Sequence, residues 1–269
     1  MSDITPPGPE DYLAHLASDS ARFVEVLRDT APDAPVPSCP GWTTDDLLFH
    51  LAEVQRFWAT VVGERLQTGE QAEAVTTERP EGRDTLLALF ETSTHQLQSA
   101  LRTTPPETPV WSWADEQTAA FSYRRQAHEA LVHRIDAELT AGVDRRPVDR
   151  RFAADGVVEA IDVMYGEPQA WLEFRPEPGG VVGFVADDVG GRWVRAVGRA
   201  VGTSASGRAI DWRCFDHAAA DAVPTVVVRG TAADLDCWLW NRPTVGPVTT
   251  EGDPSVLAAV RAVVEDGIQ

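Results

Sequence analysis

The stretch Arg124–Leu139 reads RRQAHEALVHRIDAEL and sets Glu129 and His133 four residues apart. On an α-helix four residues turn through about 400°, so both side chains share a face roughly 40° apart. Val132 and Leu139 border that face, which makes it at least half buried. A buried carboxylate without a partner is costly. Either the two residues are a plain i,i+4 ion pair, or they are two legs of a metal site. Arg124 and Arg125 precede Glu129 by about a turn and read either as residues behind the site or facing a substrate, or as surface charge, with surface charge preferred. If this segment is a helix, over about 118–141, the fold turns on whether helices of the same kind precede it.

They do. Residues 9–29 place Tyr12, Leu16, Phe23 and Leu27 on one face at helical spacing. The run APDAPVPSCPGW (31–42) then breaks the pattern with four prolines and a glycine. Thr43 or Thr44 caps a second helix whose first turn carries Asp45 and Asp46. Its apolar stripe is Leu47, Leu51, Val54, Trp58 and Val61. Residues 66–82 read as a polar loop or lid. A third helix runs from about Arg83 to Arg102 with Leu86, Phe90, Leu97 and Leu101 inward. Four amphipathic helices make a bundle with its own core, over residues 1–145, ending at the charged linker AGVDRRPVDRR (141–151).

The texture changes after the linker. A helix over Ala154–Trp171, capped by Asp155, precedes the runs VVGFV, RWVRAVG, AIDWRCF and TVVVRG, rich in β-branched and aromatic residues. ADDVGGRW reads as a hairpin turn between the first two. A helix follows Thr231 with Leu235, Trp238 and Leu239 buried. GPVTTEGD reads as a strand, and Pro254 opens a last helix to about Glu265. The expected architecture is therefore α plus α+β: a four-helix bundle, then a smaller α+β domain over residues 150–269.

The net charge of -19 and pI near 4.6 repel phosphate backbones and anionic lipid surfaces, which argues against nucleic acid and membrane partners. Every Lys/Arg position is Arg, a composition that suggests a GC-rich bacterial genome. The opening MSDITPPGPEDYL lacks the basic and apolar regions of a signal peptide, and no run approaches membrane-span length. Cys39, Cys214 and Cys237 are scattered and odd in number, which fits a reducing cytoplasm.

Of the six histidines, His15 and His217 have no partner in local sequence, and His95 lies off the apolar stripe of its helix. His50 lies beside Leu47 and Leu51 and faces inward. With Glu129 and His133 it makes one carboxylate and two imidazoles, a three-ligand set suited to Zn²⁺ with one position left open, the catalytic rather than the structural pattern. His128 is about 140° from His133 and does not join that set. A polar cluster of Glu129 and His50 without metal is the alternative.

VPSCPGWTTDDLLFHLAEV (36–54), RRQAHEALVHRIDAEL and AADGVVEAI (153–161), in that order and separation, resemble the mycothiol-dependent maleylpyruvate isomerase family. The resemblance implies a DinB-like four-helix bundle followed by a C-terminal module related to sterol carrier proteins. It implies zinc held by His50, Glu129 and His133. Mycothiol, the small cysteine-containing thiol of actinobacteria, would be the cosubstrate. The metal-bound thiolate would add to the cis double bond of a small electrophile, allow rotation and leave; relatives act instead as S-transferases. The family also uses a C-terminal arginine on the substrate carboxylate. Arg242 in CWLWNRP (237–243) falls in a segment similar to the family's LLWGR, although Asn241 and Pro243 depart from it. A helix-end arginine interacting with the dipole is the other reading of Arg242. The expectation is a cytoplasmic enzyme, a monomer or small homo-oligomer, acting on a small electrophile with a low-molecular-weight thiol. A non-catalytic metal- or ligand-binding protein of the DinB-like kind is the alternative. Trp42, Trp111 and Trp113 read as loop anchors more than pocket walls, and Cys39 as a packed small hydrophobe.

Overall fold

The computed structural model describes residues 4–166, 171–204 and 207–267. They form two compact units, one over Pro7–Arg146 and the other from Pro147 onward together with the residues before Pro7.

The first unit is built on four long helices: α1 (Pro9–Arg28), α2 (Thr44–Gly63), α4 (Arg83–Thr103) and α5 (Ala119–Ala141). Local chemistry sets their ends. Thr43 accepts from the Asp46 backbone N–H while Asp46 accepts from the Thr43 N–H at 2.9 Å, a reciprocal capping box. Hydrogen bonds from Arg79 and then from Thr43 hold the Asp46 carboxyl down at about 2. Arg83 opens α4 and reaches the Asp45 carboxylate and the Leu27 carbonyl, so the end of α1 and the start of α2 meet on one guanidinium. Gly142 ends α5 in the left-handed region with φ 65°. Residues 66–82 are not wholly loop: Thr68 caps a five-residue helix, α3 (Gly69–Glu73).

Phe23, Leu27, Leu47, Leu51, Leu86 and Phe90 pack into one core. Val54 is half-buried instead of buried, because it lies on the open face that His50 shares. α5 departs further from the expected single stripe, for it is buried on nearly every side. Its charges are consequently paired inside: Arg134 bonds Asp19 at 3.1 Å, Glu138 at 2.8 Å and the Arg146 carbonyl at 2.7 Å.

The first helix of the second unit starts earlier than its sequence suggests. Asp149, not Asp155, caps α6 (Arg150–Glu159), accepting from Phe152 N at 2.9 Å. Asp155 is an interior residue of that helix and is buried. α6 runs into a π-helical turn, Ala160–Met164; the rest of the expected helix falls partly on 167–170, outside the described residues. The sheet has the order β3-β2-β1-β4-β5, with β1 (Glu173–Ala186), β2 (Gly191–Thr203), β3 (Ala209–His217), β4 (Val226–Gly230) and β5 (Thr249–Gly252). β1 and β4 pair parallel, and the other neighbours antiparallel. The hairpin between β1 and β2 turns at Gly190, φ 64°, where the sequence placed it. α6, α7 (Ala232–Leu239) and α8 (Pro254–Asp266) supply Val157, Leu235 and Val260 to a core with Val182, Phe184, Phe215 and Val228. Trp238 is half-buried and not, as expected, buried. The α plus α+β expectation describes the chain. Among the described residues no helix is long and apolar enough to cross a membrane.

Candidate metal centre

His50 comes from α2, Glu129 and His133 from α5, and the three converge on one point. Glu129 Oε1 stands 3.3 Å from His50 Nε2 and 3.1 Å from His133 Nε2. One donor atom from each residue lies within 4.8 Å of the others. The imidazole rings meet edge to face at 4.8 Å. Exposure falls from 33% at His50 to 14% at Glu129 and 9% at His133, so the cluster opens on the His50 side. Zinc–ligand bonds of about 2.0–2.1 Å set tetrahedral ligand atoms about 3.3–3.4 Å apart. The two Glu129–imidazole spacings lie at or just under that edge, and one carboxylate with two imidazoles is a donor set that could hold a zinc ion.

Each residue of the cluster has a neighbour against it. Arg125 Nη2 donates to Glu129 Oε2 at 2.6 Å, leaving Oε1 for the two histidines. Arg125 is 4% exposed, so of its two readings surface charge is the one the structure overturns. Its i−4 position turns it toward Glu129, and a buried carboxylate draws a guanidinium in with it. Asp136 accepts from His133 Nδ1 at 2.9 Å. The Trp42 ring lies 4.9 Å from the His50 ring.

The electrostatics follow from these contacts. Burial works against ionising Glu129, but the charges of Arg125 and His133 and the histidine hydrogen bonds outweigh it, holding the carboxyl well below its usual range. Burial also works against charging His133, and Glu129 and Asp136 overcome it, raising that imidazole to about 9. The cluster is thus organised around a negative Glu129 oxygen that attracts a cation.

The other histidines stay apart, as expected. His128 is buried against Tyr12, ring to ring at 6.3 Å; His95 and His217 are exposed and His15 half-buried. Trp111 stacks on Trp58 at 6.1 Å and Trp113 meets Phe121 at 5.2 Å, so both anchor their loop. Cys39 does more than pack: its Sγ lies 3.7 Å from Asp136 Oδ2. Sequence reasoning ranked a place behind the site below surface charge for Arg125, and it missed Asp136. Their signal was present in the stretch itself, since i−4 from Glu129 and i+3 from His133 are both same-face spacings.

Arg242 belongs to the second unit. α7 closes with Asn241 N–H on Trp238 O at 3.0 Å and Arg242 N–H on Cys237 O at 2.8 Å. This is a Schellman closure with Asn241 at φ 54°. Asn is the residue after Gly that best tolerates this conformation, so the departure from Gly keeps the same turn. The Arg242 guanidinium donates to Trp240 O at 2.6 Å. It lines an open pocket of about 430 Å³ with Trp238, Arg261, Val264 and Glu265.

A family model described as the mycothiol maleylpyruvate isomerase N-terminal domain matches residues 13–138. A second, described as the MDMPI C-terminal domain, matches residues 151–259. Among solved structures the chain is similar to the mycothiol-dependent maleylpyruvate isomerase, with 16% identity, TM-score 0.58, and 92% of this chain and 95% of that chain covered. It is similar also to a histidine-to-alanine mutant of that isomerase, with 18% identity, TM-score 0.59 and the same coverage. At these identities the likeness carries the fold. No curated protein matches the sequence.

Proposed function

Because the chain belongs to the mycothiol maleylpyruvate isomerase family, we propose that it is a zinc-dependent enzyme that uses mycothiol to isomerise a small cis-unsaturated acid. The observation that carries this reading is the convergence of His50, Glu129 and His133, with one donor atom from each within 4.8 Å of the others. Zinc bound there supplies a Lewis acid that keeps a coordinated thiol ionised near neutral pH.

The chain's own residues do the rest. Glu129 presents one oxygen to the site while Arg125 holds the other, so the carboxylate cannot swing to take two positions. An ion held by His50, Glu129 and His133 would have one position open to a thiol. The thiolate sulfur bonds to one alkene carbon, and the alkene electron pair moves into the conjugated carbonyl. The remaining single bond rotates. The electron pair returns, the carbon–sulfur bond breaks, and the trans acid and thiolate are released. The Trp42 ring beside His50 gives the open side an apolar wall that limits water. Arg242 is assigned to the substrate carboxylate, supported by its fixed backbone turn and its place in a pocket.

The test follows the thiol. Purified zinc-loaded protein is incubated with maleylpyruvate and limiting mycothiol, with product and free thiol both measured. Trans product with undiminished thiol supports the isomerase. Loss of thiol in step with substrate makes the chain an S-transferase. Stoichiometric zinc with neither reaction, across small unsaturated acids, makes it a non-catalytic metal-binding member of the family.

A further inference from the structure

Asp136 is fully buried, and its two oxygens serve different elements. Oδ2 accepts from His133 Nδ1 at 2.9 Å and faces Cys39 Sγ at 3.7 Å. Oδ1 accepts from Ser38 Oγ at 2.5 Å. Ser38 and Cys39 sit in the loop between α1 and α2. That loop is closed on itself, with Val36 N–H on Trp42 O at 2.9 Å and Trp42 N–H on Cys39 O at 3.0 Å. It therefore reaches both histidines of the cluster: His133 through Asp136, and His50 through Trp42.

A carboxylate in a helix-bundle interior is costly to bury unless hydrogen-bonded. Fastening the loop to the bundle would account for the Ser38 contact, but a neutral side chain could do that. It would not account for the bond to His133. A carboxylate only accepts, so Asp136 holds a proton on Nδ1 of His133, and a cation that displaces the Nε2 proton would meet Nε2 facing Glu129 and His50. A carboxylate behind an imidazole also makes its other nitrogen a stronger donor to a metal.

We infer that Asp136 is the positioning residue of this centre. It selects Nε2 of His133 as the metal-facing nitrogen, and Ser38 in the α1–α2 loop holds it in that role. The inference rests on the zinc reading of the cluster, and its test separates the two.

Zinc affinity is measured on the full chain by competition with a chromophoric chelator, for the wild type, Asp136→Asn, Asp136→Leu, Ser38→Ala and Ser38→Thr. The expected loss for Asp136→Leu is about 10–100-fold. Asp136→Asn, which keeps an acceptor but not the charge, loses less. Ser38→Ala weakens zinc measurably and Ser38→Thr restores the wild-type value. In zinc-loaded wild type the His133 Nδ1 proton is a slowly exchanging imidazole resonance, and Asp136→Leu abolishes that protection. Thermal midpoints of the zinc-stripped variants show whether the substitutions merely unfold the protein. If Asp136→Leu does not fold, Asp136→Asn and Ser38→Ala decide. Wild-type zinc affinity in both overturns the inference. A wild type that takes up no zinc overturns the earlier reading instead.

Discussion

Arg125 is the residue on which the cluster's charge balance depends. Its guanidinium holds the Glu129 oxygen that the histidines do not, and both groups are largely out of solvent. Removing one partner from such a pair costs about 3–5 kcal/mol, because the other charge stays buried. Arg125→Met should therefore lower the urea midpoint sharply and weaken zinc binding. Arg125→Met combined with Glu129→Gln should recover much of the stability but none of the zinc. A single variant as stable as the wild type would show that the pair is not the brace described. Arg125 also marks what a sequence conveals at this scale. An arginine four residues before a glutamate looks the same whether the pair faces water or the bundle interior. The convergence of His50, Glu129 and His133 was legible because each falls on the inward side of its own helix. Asp136 was half legible: its i+3 spacing from His133 is readable, while its contact with Ser38 joins positions far apart in the chain.

At the scale of elements, caps decide where helices begin and end. The Thr43–Asp46 box starts the helix that carries His50, and Thr43→Ala should cost about 1 kcal/mol. Asp46 lies near 2 when folded, below its usual 3.8. A depressed carboxyl stabilises above its unfolded value and loses that contribution as pH falls through the folded one. The stability gap between wild type and Asp46→Asn should therefore be level above about pH 5 and close as pH approaches 2; a gap that persists unchanged at acid pH would contradict it. Asn241 gives a second test. Asn241→Gly should leave the thermal midpoint unchanged or raised, and Asn241→Ala should cost about 1–2 kcal/mol, for want of a side chain that eases the left-handed turn. Helix periods, the turn at Gly190 and the Thr231 and Pro254 starts were all readable from local chemistry. The start of α6 was misplaced because Asp149 and Asp155 both have the composition of a cap, and only the path out of the linker selects between them. α3 was missed because five residues are too few to show a period.

At the scale of the molecule, the chain divides its labour. The helical unit carries His50, Glu129 and His133, proposed to hold the metal, and the sheet unit carries Arg242, proposed to hold the substrate carboxylate. This division predicts a clean separation in kinetics. Arg242→Gln should raise KM or lower kcat/KM for a carboxylate substrate while zinc content and thermal midpoint stay at wild-type values. Arg242→Lys should recover only part, since an ammonium cannot grip a carboxylate with two parallel bonds. Loss of zinc in Arg242→Gln, or unaltered kinetics, would remove Arg242 from the site.

The most direct measurement is elemental analysis of natively purified protein, wild type beside Glu129→Ala and His133→Ala, each checked by circular dichroism for an intact fold. The account predicts about one zinc per chain in the wild type and almost none in either folded variant. A wild type without metal even after zinc addition, or variants that retain it, would contradict the claim that His50, Glu129 and His133 form a metal centre.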